Sequence, residues 1–339
     1  MTAKRITVLG DGAMATVCAM LLDGKGQQVT MWGPFAEHID KMIQSRDNSR
    51  YLPGCRLPES IQLTSEVDLA ADADLIVTAI PTQFIRPVWK RFAGKVAAGV
   101  PVVSVAKGIE NDSLMRPTQI ITDVLADDPD AAPRPLAALS GPSIARELSR
   151  CLPATVCVAG DDEALLVELQ ELFTTQWFRV YTNPDLLGLE LAGATKNVIA
   201  LAAGILDGLA AGFNAKSALL SRGLVEITRL GEAMGARAET FFGIAGVGDL
   251  ATTCFCPEGR NRTCGELLGK GIKLNDAEAQ IQGIVEGVAT TRSVMQLAEK
   301  FKVEMPITAA VNDVLFKGLD PIDGIARLMS REPKQERVR

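Results

Sequence analysis

The sequence of 339 residues contains a single histidine, His38, set among Glu37, Asp40 and Lys41 in what reads as a solvated helix face. A Ser-His triad, a histidine-ligated metal centre and a dehydrogenase with an imidazole acid/base all need a ring in the right place. Proton chemistry therefore falls to Lys, Asp, Glu, Tyr or Cys. A basic excess is also missing, since 35 Lys and Arg face 41 Asp and Glu for a net charge of −6. No nucleic-acid partner is expected from such a balance, because displacing counterions needs a basic surface.

The seven cysteines (Cys18, Cys55, Cys151, Cys157, Cys254, Cys256 and Cys264) are odd in number, scattered and mostly in apolar surroundings. They read as free thiols of a reducing compartment. Cys254, Cys256 and Cys264 lack both the C-x₂₋₄-C spacing and a fourth ligand, so no metal is expected. Uncharged runs such as Gly12 to Leu22 stop short of the roughly 18 to 20 apolar residues of a membrane span. The opening residues lead into a strand without a cleavable apolar stretch, which makes the cytoplasm the expected compartment. What is present is ordinary for a globular protein, 47% hydrophobic and 22% charged residues. The length calls for two domains or one elaborated domain.

The first half alternates short β-branched runs with amphipathic stretches. Strands are predicted at Arg5 to Leu9, Gln28 to Trp32, Ile61 to Thr64, Leu75 to Ile80, Pro101 to Val105, Leu136 to Leu139, Ala154 to Val158 and Trp177 to Tyr181. Helices are predicted at Met14 to Leu22, Phe84 to Phe92, Leu114 to Leu125 and Glu163 to Phe173. That rhythm implies parallel βαβ units in a doubly wound, Rossmann-type sheet over residues 1–184. From Leu186 onward the chain reads as helix after helix, so an all-helical domain is expected over 185–330, followed by a charged tail over 331–339. Asn183 or Thr182 would cap the first of these helices, with Pro184 in its first turn.

Gly10-Asp11-Gly12-Ala13-Met14-Ala15 follows the first strand and opens a helix, the context in which G-x-G-x-x-G/A signals a dinucleotide. Gly10 allows the turn, Gly12 lets a pyrophosphate approach, Ala15 permits close helix-sheet packing, and the helix start supplies free N–H groups. The second strand ends in Trp32-Gly33-Pro34, with neither an acid for a ribose 2′-hydroxyl nor an Arg for a 2′-phosphate, and Glu37 lies farther on. NAD and NADP are both open, with a blunted preference between them.

Leu191 to Leu206 reads LAGATKNVIALAAGIL, in which Lys196 is the only charge. A buried unpaired ammonium is costly, so this lysine is paired, snorkelling or functional, and its small neighbours leave room for a ligand. Lys107 follows another buried strand, where the ligand crevice of an open sheet lies. Ser140-Gly141-Pro142-Ser143 forms a second strand-to-helix turn suited to an anion. Gly248-Asp249-Leu250, Thr252-Thr253 and the Arg260-Asn261 pair at a helix start add groups able to grip a phosphate.

Together these segments, with Lys107-Gly108-Ile109-Glu110 and Val285-Glu286-Gly287-Val288, resemble the NAD(P)-dependent glycerol-3-phosphate dehydrogenases across essentially the whole chain. The resemblance implies interconversion of sn-glycerol 3-phosphate and dihydroxyacetone phosphate, feeding glycerophospholipid synthesis. It implies Lys196 as the acid/base with Lys107 and Asp249 beside it, and Arg260 and Asn261 on the substrate phosphate. Lys107, Gly141, Ser143, Asn197 and Thr253 would also lie near substrate. The dinucleotide would meet Gly10, Gly12, Ala13, Met14, Ala15, Lys107, Ala145, Arg260, Ile284 and Glu286. The partner implied is a small phosphorylated molecule, with a homodimer left open. Where the family usually has Gly, often Trp, and often Arg, this chain has Ala15, Met14 and Gly33-Pro34. Two other readings stand beside it: a two-domain dehydrogenase acting on a hydroxy acid, and a dinucleotide sensor without turnover.

Overall fold

The structure, a computed structural model, describes residues 3–126, 134–333 and 335–336. Residues 334 and 337–339 of the expected tail lie outside that range. The chain divides into two compact units, Met1–Ala106 with Pro117–Leu186, and Lys107–Arg116 with Leu187–Arg339.

In the first unit eight strands form one sheet: β1 (Arg5–Leu9), β2 (Gln28–Trp32), β3 (Gln62–Thr64), β4 (Leu75–Thr78), β5 (Val102–Ser104), β6 (Leu136–Ser140), β7 (Ala154–Gly160) and β8 (Phe178–Asn183). Their order is β3-β2-β1-β4-β5-β6-β7-β8. The chain moves outward in both directions from β1 and β4, which creates a switch point beyond the carboxyl ends of those strands. Runs such as Ile6, Val8 and Leu9 are buried because helices cover both faces of a parallel sheet. One pairing departs from the parallel expectation, since β6 and β7 run antiparallel. Residues 141–153 between them hold only the one-turn helix Ala145–Leu148, too little for a covering crossover helix, and the chain turns back instead.

The second unit is built around the helix Leu186–Gly208, which is buried from Gly188 through Ile205. By length and composition this helix could cross a membrane, contrary to the expectation drawn from shorter runs. Its most apolar stretch is wholly enclosed by protein, as in the core helix of a globular domain. Asn183 does not cap it directly. Its Oδ1 accepts from the Asp185 N–H at 2.8 Å, and Pro184 lies before the first turn.

The helix Arg260–Gly269 crosses the core helix with almost no side chain between the backbones. A β-carbon on Gly204 would stand 1.9 Å from the Arg262 carbonyl oxygen, and one on Gly265 only 2.0 Å from that of Leu201. Beside the crossing, buried Lys216 meets Asp207 at 2.7 Å, and Arg262 Nε meets the same carboxylate at 2.6 Å. Changing Asp207→Asn would leave Lys216 without its counter-charge. We expect a loss of about 2 to 4 kcal/mol, discounted for the partial exposure of Asp207, in urea unfolding. An unchanged midpoint would show that the pair contributes nothing.

The segment Lys107–Arg116 belongs to the helical unit, although it lies between β5 and the helix Pro117–Leu125 of the sheet unit. Ile109 is fully buried in the helical core, and Ser293 Oγ lies 3.1 Å from the Ile109 carbonyl and 2.7 Å from Asn111 Oδ1. Arg116 pairs with the buried Glu190 of the core helix. Hence the helix predicted from Leu114 begins only at Pro117.

Candidate active site

The helical unit places Lys196 at the centre of a compact polar cluster. With 5% of its surface exposed, its ammonium cannot reach water by snorkelling, and it is met by side chains instead. Its Nζ donates to Thr253 Oγ1 at 2.6 Å and to Asn197 Oδ1 at 3.2 Å, and lies 3.4 Å from Asp249 Oδ1. The other oxygen of Asp249 takes Lys107 Nζ at 2.7 Å. Asn197 Nδ2 donates to the Lys107 carbonyl at 2.8 Å, tying that segment to the core helix.

Local structure explains this convergence. Ile244–Gly248 forms a π-turn that leads into the helix Asp249–Phe255. Asp249 stands at the helix start, where the dipole favours an acid, and Thr253 one turn later shares its face, 3.3 Å away. Two lysines thus share one carboxylate. Burial pushes the Lys196 pKa down to about 8, with Asp249 pulling it up and Lys107 lowering it further. Of the two charges Asp249 has the larger effect, and burial outweighs it, so the net direction is downward.

Asn261 spends its Oδ1 on the Gly287 N–H at 2.9 Å, which anchors the start of the helix Glu286–Phe301 and leaves the amide N–H groups as its remaining donors. Arg260 opens its helix exposed to solvent, with no acidic partner among the described residues. Its Nη1 lies 3.0 Å from where a β-carbon on Gly283 would stand, so the guanidinium rests against the loop that carries the exposed Ile284 into Glu286.

The sheet unit carries the remaining predicted positions. Gly10 has φ +132°, and a β-carbon there would fall 2.5 Å from the Ala79 carbonyl oxygen beyond β4, so the turn admits only glycine. Gly12 faces open space, and the helix Ala13–Gly24 has no side-chain cap. Glycine at 12 thus answers no demand of the chain itself. Uncapped N–H groups beside open space fit a dinucleotide pyrophosphate. Ala15 is fully buried against the sheet, and Met14 packs partly buried beside it. Gly141 and Ser143 lie in the turn after β6, where Ser143 Oγ bonds the Gly141 carbonyl at 2.9 Å, and Ala145 opens the one-turn helix.

Some contributors have no local signal in the sequence. Asn48 is fully buried and braces the glycine turn, its Nδ2 lying 2.8 Å from both the Asp11 carbonyl and Thr16 Oγ1. Ser293 holds the Lys107 segment from a helix more than 180 residues away in the chain. His38 also departs from expectation: its Nε2 is buried and its ring stands edge-on to Tyr51 at 5.6 Å, because the helix Ala36–Ser45 packs that edge against the Asn48–Tyr51 turn.

A glycine turn of this kind at the switch point of a doubly wound sheet, joined to a helical unit with a buried polar cluster, is the architecture of a nicotinamide-dependent oxidoreductase. Residues 5–166 match the N-terminal and residues 185–326 the C-terminal family description of NAD-dependent glycerol-3-phosphate dehydrogenase. Glycerol-3-phosphate dehydrogenase [NAD(P)+] of Bacillus pumilus is 45% identical over 334 residues, 98% of this chain and 96% of that one. The protein of the same name from Geobacter sulfurreducens is 45% identical over 336 residues, 99% of each. The crystal structure of glycerol-3-phosphate dehydrogenase from Coxiella burnetii, 34% identical, superposes with a TM-score of 0.92 over 97% of this chain and 99% of that one. The chain belongs to the NAD-dependent glycerol-3-phosphate dehydrogenase family.

Proposed function

We propose that this chain interconverts sn-glycerol 3-phosphate and dihydroxyacetone phosphate, with Lys196 as the acid/base. The observation that carries the reading is the buried Lys196 amine, brought to a pKa of about 8 and held by Thr253, Asn197 and Asp249. A nicotinamide dinucleotide, when bound, supplies the hydride acceptor or donor. The neutral amine takes the proton of the C2 hydroxyl during oxidation, and the ammonium returns it to the oxygen during reduction. Asp249 orients the amine and shares its charge with Lys107, whose ammonium is placed to face substrate oxygen. Arg260 and the amide of Asn261 grip the phosphate, and Gly141 and Ser143 lie along the substrate. Ala13, Met14, Ala15, Ala145, Ile284 and Glu286 line the dinucleotide. The product supplies glycerophospholipid synthesis. Seven free cysteines, five of them buried, support a cytoplasmic setting.

Oxidation of NADH or NADPH with dihydroxyacetone phosphate tests the reading, run beside 2-oxo acids. Turnover of the 2-oxo acids alone would replace the phosphate ester with a hydroxy-acid substrate. The sign of the pH dependence follows from the lowered pKa. Oxidation of glycerol 3-phosphate needs the neutral amine, so its kcat rises with pH and levels off above about 8. Reduction of dihydroxyacetone phosphate needs the ammonium and falls across the same range. Parallel profiles in the two directions would remove Lys196 from the proton transfer.

A further inference from the structure

The carboxyl end of β2 is where a doubly wound dinucleotide fold normally holds an acid against the adenosine ribose, yet Gly33 stands there. The space beside Gly33 is filled by Ile39 Cδ1, 2.7 Å from where a β-carbon on Gly33 would begin, and by the glycine turn after β1. Asp11, the middle residue of the glycine turn, places its Cβ 2.9 Å and its Oδ2 3.0 Å from the point where a β-carbon on Gly33 would begin. A side chain at 33 would therefore press on both Ile39 and the Asp11 carboxylate.

The surroundings say what this acid lacks. Asp11 Oδ2 is buried without a hydrogen-bond partner, a state that costs free energy until a donor arrives. Asn48 Nδ2 serves the Asp11 carbonyl and Thr16 Oγ1 and not the carboxylate, and His38 Nε2, which acts on Asp11, is likewise buried without a hydrogen-bond partner. Burial opposes the ionised form of Asp11, and its electrostatic interactions with His38 and Arg50 favour that form.

We infer that Asp11 is the residue that selects the dinucleotide: its carboxylate receives the adenosine 2′-hydroxyl of NAD(H) and repels the 2′-phosphate of NADP(H). A ribose hydroxyl is a donor, whereas a 2′-phosphate is an anion that brings acceptors. The blunted preference expected from β2 alone gives way to a preference for NAD(H). Removing the charge removes that repulsion, so the variant site admits the 2′-phosphate more readily. The inference rests on the dehydrogenase reading above.

Titration of nicotinamide fluorescence gives Kd for NADH and NADPH with the wild-type chain, Asp11→Asn and Gly33→Ala. The wild type should bind NADH more tightly. Asp11→Asn should move the NADPH-to-NADH preference by about tenfold or more, the effect of removing one like charge at close range. Gly33→Ala should move it in the same direction with no change of charge, by pushing the carboxylate aside. A wild type that prefers NADPH, or variants that alter both Kd values by the same factor, overturn the assignment while leaving the dehydrogenase reading intact. Failure of the wild type to bind either dinucleotide overturns both.

Discussion

Lys196→Ala is expected to lower kcat by about 10² to 10⁴ in both directions, the usual contribution of a positioned acid/base. The fold should survive. Asp249 keeps Lys107 at 2.7 Å and Thr253 at 3.3 Å, so no carboxylate is left without a partner. Truncation also relieves the burial that pushes this ammonium to a pKa of about 8, and melting at neutral pH should not fall as for an ordinary core truncation. Binding of NADH by the glycine turn, measured by fluorescence, should be nearly unchanged. The residual rate should also lose the opposed pH profiles described above. Near-normal turnover, or a loss of rate matched by loss of the folded state, would take the acid/base role away from Lys196.

That lysine was legible because composition and period disagree around it. An apolar helix with one ammonium and small neighbours demands an explanation. The glycine turn was legible for a related reason, since a strand, two glycines and a helix start lie consecutively in the chain. What sequence could not supply was contact between distant segments. The Lys107–Arg116 segment looks like the end of one βα unit and the approach to the next, yet Ser293 and Glu190 draw it into the helical unit. The antiparallel β6–β7 pair is hidden because a one-turn helix and a full crossover helix begin with the same pattern. Asp11 shows the limit most directly. The rule for ribose recognition looks some twenty residues past the glycines, whereas the acid beside Gly33 lies between those glycines. Only the packing of one turn on another reveals the substitution.

Arg260→Ala is expected to raise KM for dihydroxyacetone phosphate by about tenfold to a hundredfold, the loss of a charge-assisted contact to a phosphate. Arg260 is suited to that contact because it stands exposed at the start of its helix with no acidic partner among the described residues. Its neighbour Arg262 is spent on Asp207 at 2.6 Å, so a basic residue next door cannot take over. Asn261 has its carbonyl oxygen committed to Gly287 and offers only amide donors, too few to bind a dianion alone. Because the Arg260 guanidinium rests against the loop at Gly283, the variant should also weaken dinucleotide binding, by a smaller factor than it raises KM. Arg260→Lys should recover part of the loss by restoring charge without the planar fork. Steady-state kinetics in the phosphate substrate, set beside NADH titration of the same variants, separates the two effects. A change confined to dinucleotide affinity would move Arg260 from the phosphate to the cofactor, and the phosphate would need another cation to hold it.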